Sequence, residues 1–224
     1  TADEPLLSGL WRVAMTTLIL AVSLQTWVRH DADLAARYPS LTPVAAGATQ
    51  WQAHLWQTLP LRREDIWQRA DQPLDIQYAG TPEALASTLA ARGWEPAQQL
   101  DWATALNLFS PELPLQDLPV PPQVHAGRHE TLALVKRLPD GGRFVLRLWP
   151  TRYVLGGTTL WVGNVTAQRK DLVLSLFAIP ATVQEFASPR AELERDLRGL
   201  PGVTCAPRGS VLLVAIDVDR QGSP

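Results

Sequence analysis

The chain has 224 residues, is 46% hydrophobic and carries a formal net charge of −2. That is ample apolar material for a packed core, and the absence of a basic run argues against an electrostatic nucleic-acid surface. The single cysteine, Cys205, excludes a scaffold stapled by internal disulfides.

Residues 13–28 (VAMTTLILAVSLQTWV) contain no charged side chain. Arg12 precedes them, Arg29 and His30 follow, and Trp11 and Trp27 stand near the ends, where indole rings favour a membrane–water boundary. Extended back to Leu6, with Arg12 snorkelling, the stretch is long enough to span a bilayer. We read it as a transmembrane helix, with a buried soluble helix as the competing reading. A signal peptide fits poorly, because the start is acidic (Asp3, Glu4) and no small-residue cleavage site follows. The chain does not begin with Met, so the helix is expected to be the last span of a larger membrane unit.

Trp51, Leu55 and Leu59 recur every four residues and predict a short amphipathic helix stopped by Pro60. It would lie against the membrane or against the domain. Arg62, Arg63 and Arg69 follow, interleaved with Glu64 and Asp65. They read as a solvated connector or as a contact for anionic headgroups.

The domain proper is expected to begin at Pro73. Residues 74–78 alternate apolar and polar, the period of a strand. Thr81-Pro82 then supplies a helix cap and first turn, Leu85 and Leu89 a buried stripe, and Gly93 the stop. A proline-laden loop at 110–122 wraps the surface in extended form. Strands are predicted over 131–138 and 143–149, joined by a turn at 139–142, with two more over 160–168 and 172–179. Residues 183–189 line up with 76–82 and suggest a duplicated unit, with Ser188 as cap and Pro189 at the first helical position. The helix stripe is Leu193, Leu197 and Leu200, and residues 211–218 form a strand covered on both faces.

The expected fold is α+β, a mainly antiparallel sheet with two flanking helices, preceded by one transmembrane helix. The segments are 1–30 for the transmembrane helix and flanks, 31–72 for the connector, 73–218 for the domain and 219–224 for the tail.

No phosphate-cradling glycine loop, CxxC or HExxH occurs. No cofactor is expected, and no metal, because His125 and His129 alone leave a zinc site incomplete. On the strand 143–149, alternation puts Phe144, Leu146 and Leu148 on one face and Arg143, Val145, Arg147 and Trp149 on the other. Arg147 and Trp149, with Arg128 and with Trp161 from the next strand, form the candidate platform for an anionic or sugar-bearing ligand. The other reading of that face is a structural Arg–Trp pair. The alternative site is a hydrolytic one built on His125 or His129.

Pro73-Leu74-Asp75-Ile76-Gln77-Tyr78-Ala79-Gly80, Arg92-Gly93-Trp94, Leu118-Pro119, His125-Ala126-Gly127-Arg128, Leu146-Arg147-Leu148-Trp149 and Leu160-Trp161-Val162-Gly163 occur in this order. Together they resemble the LssY carboxy-terminal domain family of bacterial membrane proteins. In that family the domain follows type 2 phosphatidic-acid-phosphatase or DedA-type units. The resemblance implies a parent acting on lipid phosphates or undecaprenyl carriers in the bacterial inner membrane, with this domain on the periplasmic side. The phosphatase motifs are missing here, so none of those catalytic residues carries over. The expected role is a non-catalytic accessory domain that binds a headgroup, glycan or protein partner near the bilayer. The implied partners are the membrane, an anionic lipid or polyprenyl phosphate, and the upstream membrane domain. A purely structural docking module, marked by an apolar patch at Trp51 and Trp56, is the remaining alternative.

Overall fold

The computed structural model of the chain describes residues 40–98, 112–173 and 177–217. The chain divides after Ser40, and the second unit, Leu41–Pro224, carries the sheet. The expected transmembrane segment at 13–28 and the tail at 219–224 lie outside the described residues. Among the described residues no helix is long and apolar enough to cross a membrane.

The centre of the fold is a long hairpin. Strand β9 (Arg143–Leu155) pairs antiparallel with β10 (Thr158–Val173), with a register shift between Thr159 and Trp161. One edge of β9 takes β8 (Leu132–Arg137) and, further along, the parallel strand β1 (Val44–Ala46). Strand β10 takes β4 (Ile76–Ala79) with its first half and β11 (Phe177–Thr182) with its second. Beyond β4 lies β13 (Val211–Ile216), parallel to it, then β12 (Val203–Arg208) at the edge; β5 (Trp94–Pro96) closes the far side on β8. The sheet is thus mainly antiparallel, as expected. Two small ladders stand apart, β2 (Arg62–Arg63) with β3 (Gln72–Pro73), and β6 (Val124–His125) with β7 (Arg128–His129).

Both faces of the sheet are covered. On the first face α2 (Pro82–Ala90) and α3 (Ala187–Leu197) set Leu85, Leu89, Leu193 and Leu197 against Tyr78, Leu146, Leu148, Trp161 and Val214. Each such buried aliphatic side chain stabilises by about 1.5–3 kcal/mol. On the second face α1 (Ala48–Ala53) and the 3-10 turn after it bring Trp51, Leu55 and Leu59 onto Leu74, Trp149, Val162 and Leu213. Strand β13 is buried on both sides, which explains its nearly unbroken apolar sequence.

Helix α2 starts as its sequence directs: the Thr81 hydroxyl accepts the Ala84 N–H at 3.2 Å, and Pro82 occupies the first turn. Gly93 takes the left-handed φ of +81° beyond its end.

Helix α3 departs from expectation. It begins at Ala187, and Ser188 does not cap it; the Glu185 carboxylate does so, accepting the Ala187 N–H at 2.8 Å and the Ser188 N–H at 3.0 Å. Residues 183–186 form no strand, because β11 ends at Thr182. The expected duplication therefore lacks its second strand. The packed unit also begins upstream of Pro73, since β1 joins the sheet and Trp51 is buried in its core. The predicted helix around Trp51 breaks at His54, which leaves the helical region (φ −150°, ψ −28°), and continues as a 3-10 turn over Leu55–Gln57.

Candidate functional site

The alternation predicted on β9 is present, but its polar side is not a surface. Arg147 is 0% exposed and Trp149 1% exposed. The proline-rich loop covers Arg147, whose guanidinium reaches the Pro121 carbonyl, while Trp149 is packed with Trp51, Leu55 and Leu74; Leu115, Leu118 and Val120 of the loop are themselves buried. The reason lies in the loop's composition. Proline carries no N–H, so a proline-rich segment has surplus carbonyl acceptors. Arginine has five donors and no acceptor. Arg143 donates to the carbonyls of Leu115 (3.0 Å), Leu118 (2.6 Å) and Pro119 (3.2 Å), and to Gln168 Oε1 (2.9 Å). Arg147 donates to the Pro121 carbonyl at 3.3 Å and lies 3.6 Å from the Glu130 carboxylate. Burial draws the Arg143 and Arg147 pKa values down to about 10, opposed at Arg147 by Glu130.

Trp161 does not join this group. It packs on the opposite face, in the core beneath α2 and α3, and its Nε1 donates to the Gly80 carbonyl at 2.9 Å. Val162 pairs with Trp149, so Leu160 and Val162 lie on the Trp149 side and alternation turns Trp161 away. The expected surface platform of Arg147, Trp149 and Trp161 is therefore corrected to a buried layer and a separate core residue. Arg128 is half-buried on the β6–β7 hairpin and donates to the Ala126 carbonyl at 3.0 Å.

The two histidines share that hairpin. His125 pairs with Arg128 and Val124 with His129, so the two imidazoles point to opposite sides. His125 is buried, edge-on to Trp149 at 6.0 Å, and its Nδ1 accepts the Glu64 N–H at 3.1 Å. Burial pulls its pKa down to about 4, with Glu64 opposing, so it is neutral near pH 7. His129 is exposed. Burial pushes the Cys205 thiol up to about 11, with Glu194 adding to the effect.

A concave site lies elsewhere. Beyond the carboxyl ends of the parallel pair β4 and β13, five chain segments surround an open cleft of about 670 Å³. They are the start of α1 with Ala46–Ala48, Ala79–Gly80, the β9–β10 turn, the start of β12, and Ala215–Asp217. In open parallel α/β sheets the carboxyl ends of the strands are the usual ligand position, and β4 and β13 supply one such parallel pair within this mainly antiparallel sheet. The lining is mostly small side chains and glycine main chain, with Gln52, Thr158, Thr204 and Asp217 as polar groups. No Lys, Arg or His is among its described lining residues. Among the described residues no group of three or more His, Cys, Asp or Glu side chains is placed to hold a metal ion. The cleft was not legible in the sequence because its parts lie up to 171 positions apart, as between Ala46 and Asp217. The one signal was the parallel placement of two apolar strands, and that pairing is a long-range contact.

The model of the family described as LssY C-terminus matches residues 56–183, more than half of the chain. It takes in the central hairpin, both histidines and the arginine face, and stops before the β12 and β13 side of the cleft. No curated protein and no solved structure matches the chain.

Proposed function

This chain belongs to the LssY C-terminus family, and on that premise we propose that it is a non-catalytic accessory domain of an inner-membrane lipid-phosphate phosphatase or transporter. The domain sits on the periplasmic side, is held to the bilayer by the uncharged stretch at 13–28, and binds a ligand delivered there. The observation that carries the reading is the cleft at the carboxyl ends of β4 and β13. Its chemistry favours the glycan among the three ligand classes. Recognition of phosphate relies on cations or on charge-assisted N–H donors. This lining holds no cation and sets the Asp217 carboxylate, which repels an anion, beside hydroxyls, an amide and glycine main chain. Those groups, set among small apolar side chains, suit the neutral hydroxyls of a sugar.

His125 and Cys205 support a non-catalytic role in the same way. His125 already accepts a main-chain N–H inside the fold, and burial holds the thiol protonated near neutral pH. The test is a titration of the full chain in detergent micelles, followed by amide NMR, with N,N′-diacetylchitobiose and with inorganic phosphate. The expected result is saturable shifts at Gly80, Gly156 and Thr204 with the disaccharide and none with phosphate. Shifts with phosphate alone would return the assignment to an anionic headgroup.

A further inference from the structure

The β2–β3 hairpin presents apolar side chains to water. Trp67 is 70% exposed, Ile66 41% and Leu61 46%. For a tryptophan this is extreme, and the loop is built to hold it there. The Asp65 carboxylate accepts the main-chain N–H of Trp67 at 2.8 Å and of Arg69 at 2.9 Å, and it bonds Arg69 Nε at 2.9 Å. The Gln68 N–H donates to the Asp65 carbonyl at 3.0 Å, and the Asp65 N–H to the Arg69 carbonyl at 3.1 Å. Gln68 is held at a left-handed φ of +60°. On the other strand Arg62 Nη1 donates to the Ala70 carbonyl at 3.1 Å. The tip is therefore ordered before it meets anything.

We infer that this loop is a lipid-interface anchor, with Trp67 and Ile66 entering the headgroup–acyl boundary of a bilayer. The inference rests on the membrane-anchored reading above and deepens it. Three observations favour lipid. The patch is one indole and two aliphatic side chains, far short of the roughly 800 Å² per partner of a stable protein interface. An indole with an apolar body and a wet N–H is interface chemistry, and the flanking Arg62 and Arg69 can bury their stems while their heads stay in water. The uncharged stretch also ends about 30 residues upstream of Leu61, so a tethered loop meets the bilayer at a high effective concentration and a small anchor suffices. Over 61–71 the three arginines are matched by Glu64, Asp65 and Asp71. Insertion is thus driven by the apolar tip rather than by lipid charge.

The experiment uses the full chain reconstituted in phosphatidylcholine vesicles, with Cys205→Ser and Ile66→Cys carrying an environment-sensitive fluorophore. The expected result is a blue-shifted emission quenched by spin-labelled lipid. Adding Trp67→Ser should lower the lipid-quenched fraction about tenfold. Replacing a third of the lipid by phosphatidylglycerol should change it by less than about twofold. A chain that floats with the vesicles while its fluorophore stays in water, fully quenched by iodide, overturns the loop assignment and leaves the anchored domain standing. A blue shift untouched by spin-labelled lipid overturns it in favour of a protein contact. A chain that does not float overturns the anchored reading itself.

Discussion

Arg147 Nε lies 3.6 Å from Glu130 Oε1, with the arginine side chain fully buried. The second carboxylate oxygen of Glu130 accepts the Gln123 N–H at 2.8 Å. The pair joins the central strand β9 to the loop that covers it, and it has no open side for a ligand. Arg147→Ala would leave a buried carboxylate without its countercharge, at a cost of about 3–5 kcal/mol. Arg147→Met keeps the volume, and combined with Glu130→Gln it should recover most of that loss. Urea unfolding of the three variants checks this. An Arg147→Ala protein as stable as the parent would show that the layer is not structural.

Two buried groups, His125 and Asp75, contribute to stability between pH 4 and 7 in opposite directions. Burial holds His125 at about 4, below its ordinary 6.5, so its contribution is complete above pH 6.5 and is lost as pH falls toward 4. Burial raises Asp75 from 3.8 to about 7, with Arg190 opposing, so its contribution is complete below pH 3.8 and is lost as pH rises toward 7. Each linkage amounts to about 3–4 kcal/mol. Between pH 4 and 6.5 they run in opposite directions and largely offset. Urea midpoints at pH 4.5, 5.5 and 6.5 should be flat for the parent. For Asp75→Asn they should fall toward acid, and for His125→Gln toward neutral pH. Parallel profiles for Asp75→Asn and the parent would contradict this balance.

Gly163 faces the main chain of β9 at close range. A Cβ there would stand 2.3 Å from the Arg147 carbonyl oxygen and 2.6 Å from Leu148 Cδ2. The main-chain contact cannot relax without moving the hairpin. Gly163→Ala should destabilise by about 1–3 kcal/mol, read as a lower urea midpoint at unchanged slope. An unchanged midpoint would mean that the two strands separate more easily than their pairing suggests.

Much of the fold was legible because its signals are local. Thr81-Pro82 and Gly93 bound α2 with short-range chemistry, and Asp140-Gly141-Gly142 fixes the turn from β8 into β9. The alternation on β9 also assigned its side chains to the correct faces. It could not say whether the polar face was wet, because that depends on where the proline loop lies. The four buried hydrogen bonds of Arg143, three to that loop and one to Gln168, are long-range facts. Trp161 was misplaced because the cross-strand register is a long-range fact: Val162 is the residue opposite Trp149, so alternation turns Trp161 to the other face. Ser188-Pro189 imitated a cap, but Glu185 was nearer to the free N–H groups.

The central claim is that ligand binds in the cleft beside β4 and β13 and not on the arginine face. Thr204 is exposed on the edge strand β12 and lines that cleft, so Thr204→Trp fills the cleft without disturbing the core. The decisive measurement is calorimetric titration of N,N′-diacetylchitobiose into the parent and into Thr204→Trp, each first shown to be equally stable in urea. The account predicts at least about a tenfold loss of affinity in the variant, a difference of 1.4 kcal/mol. Equal affinity in both proteins, or no binding to the parent, would contradict it.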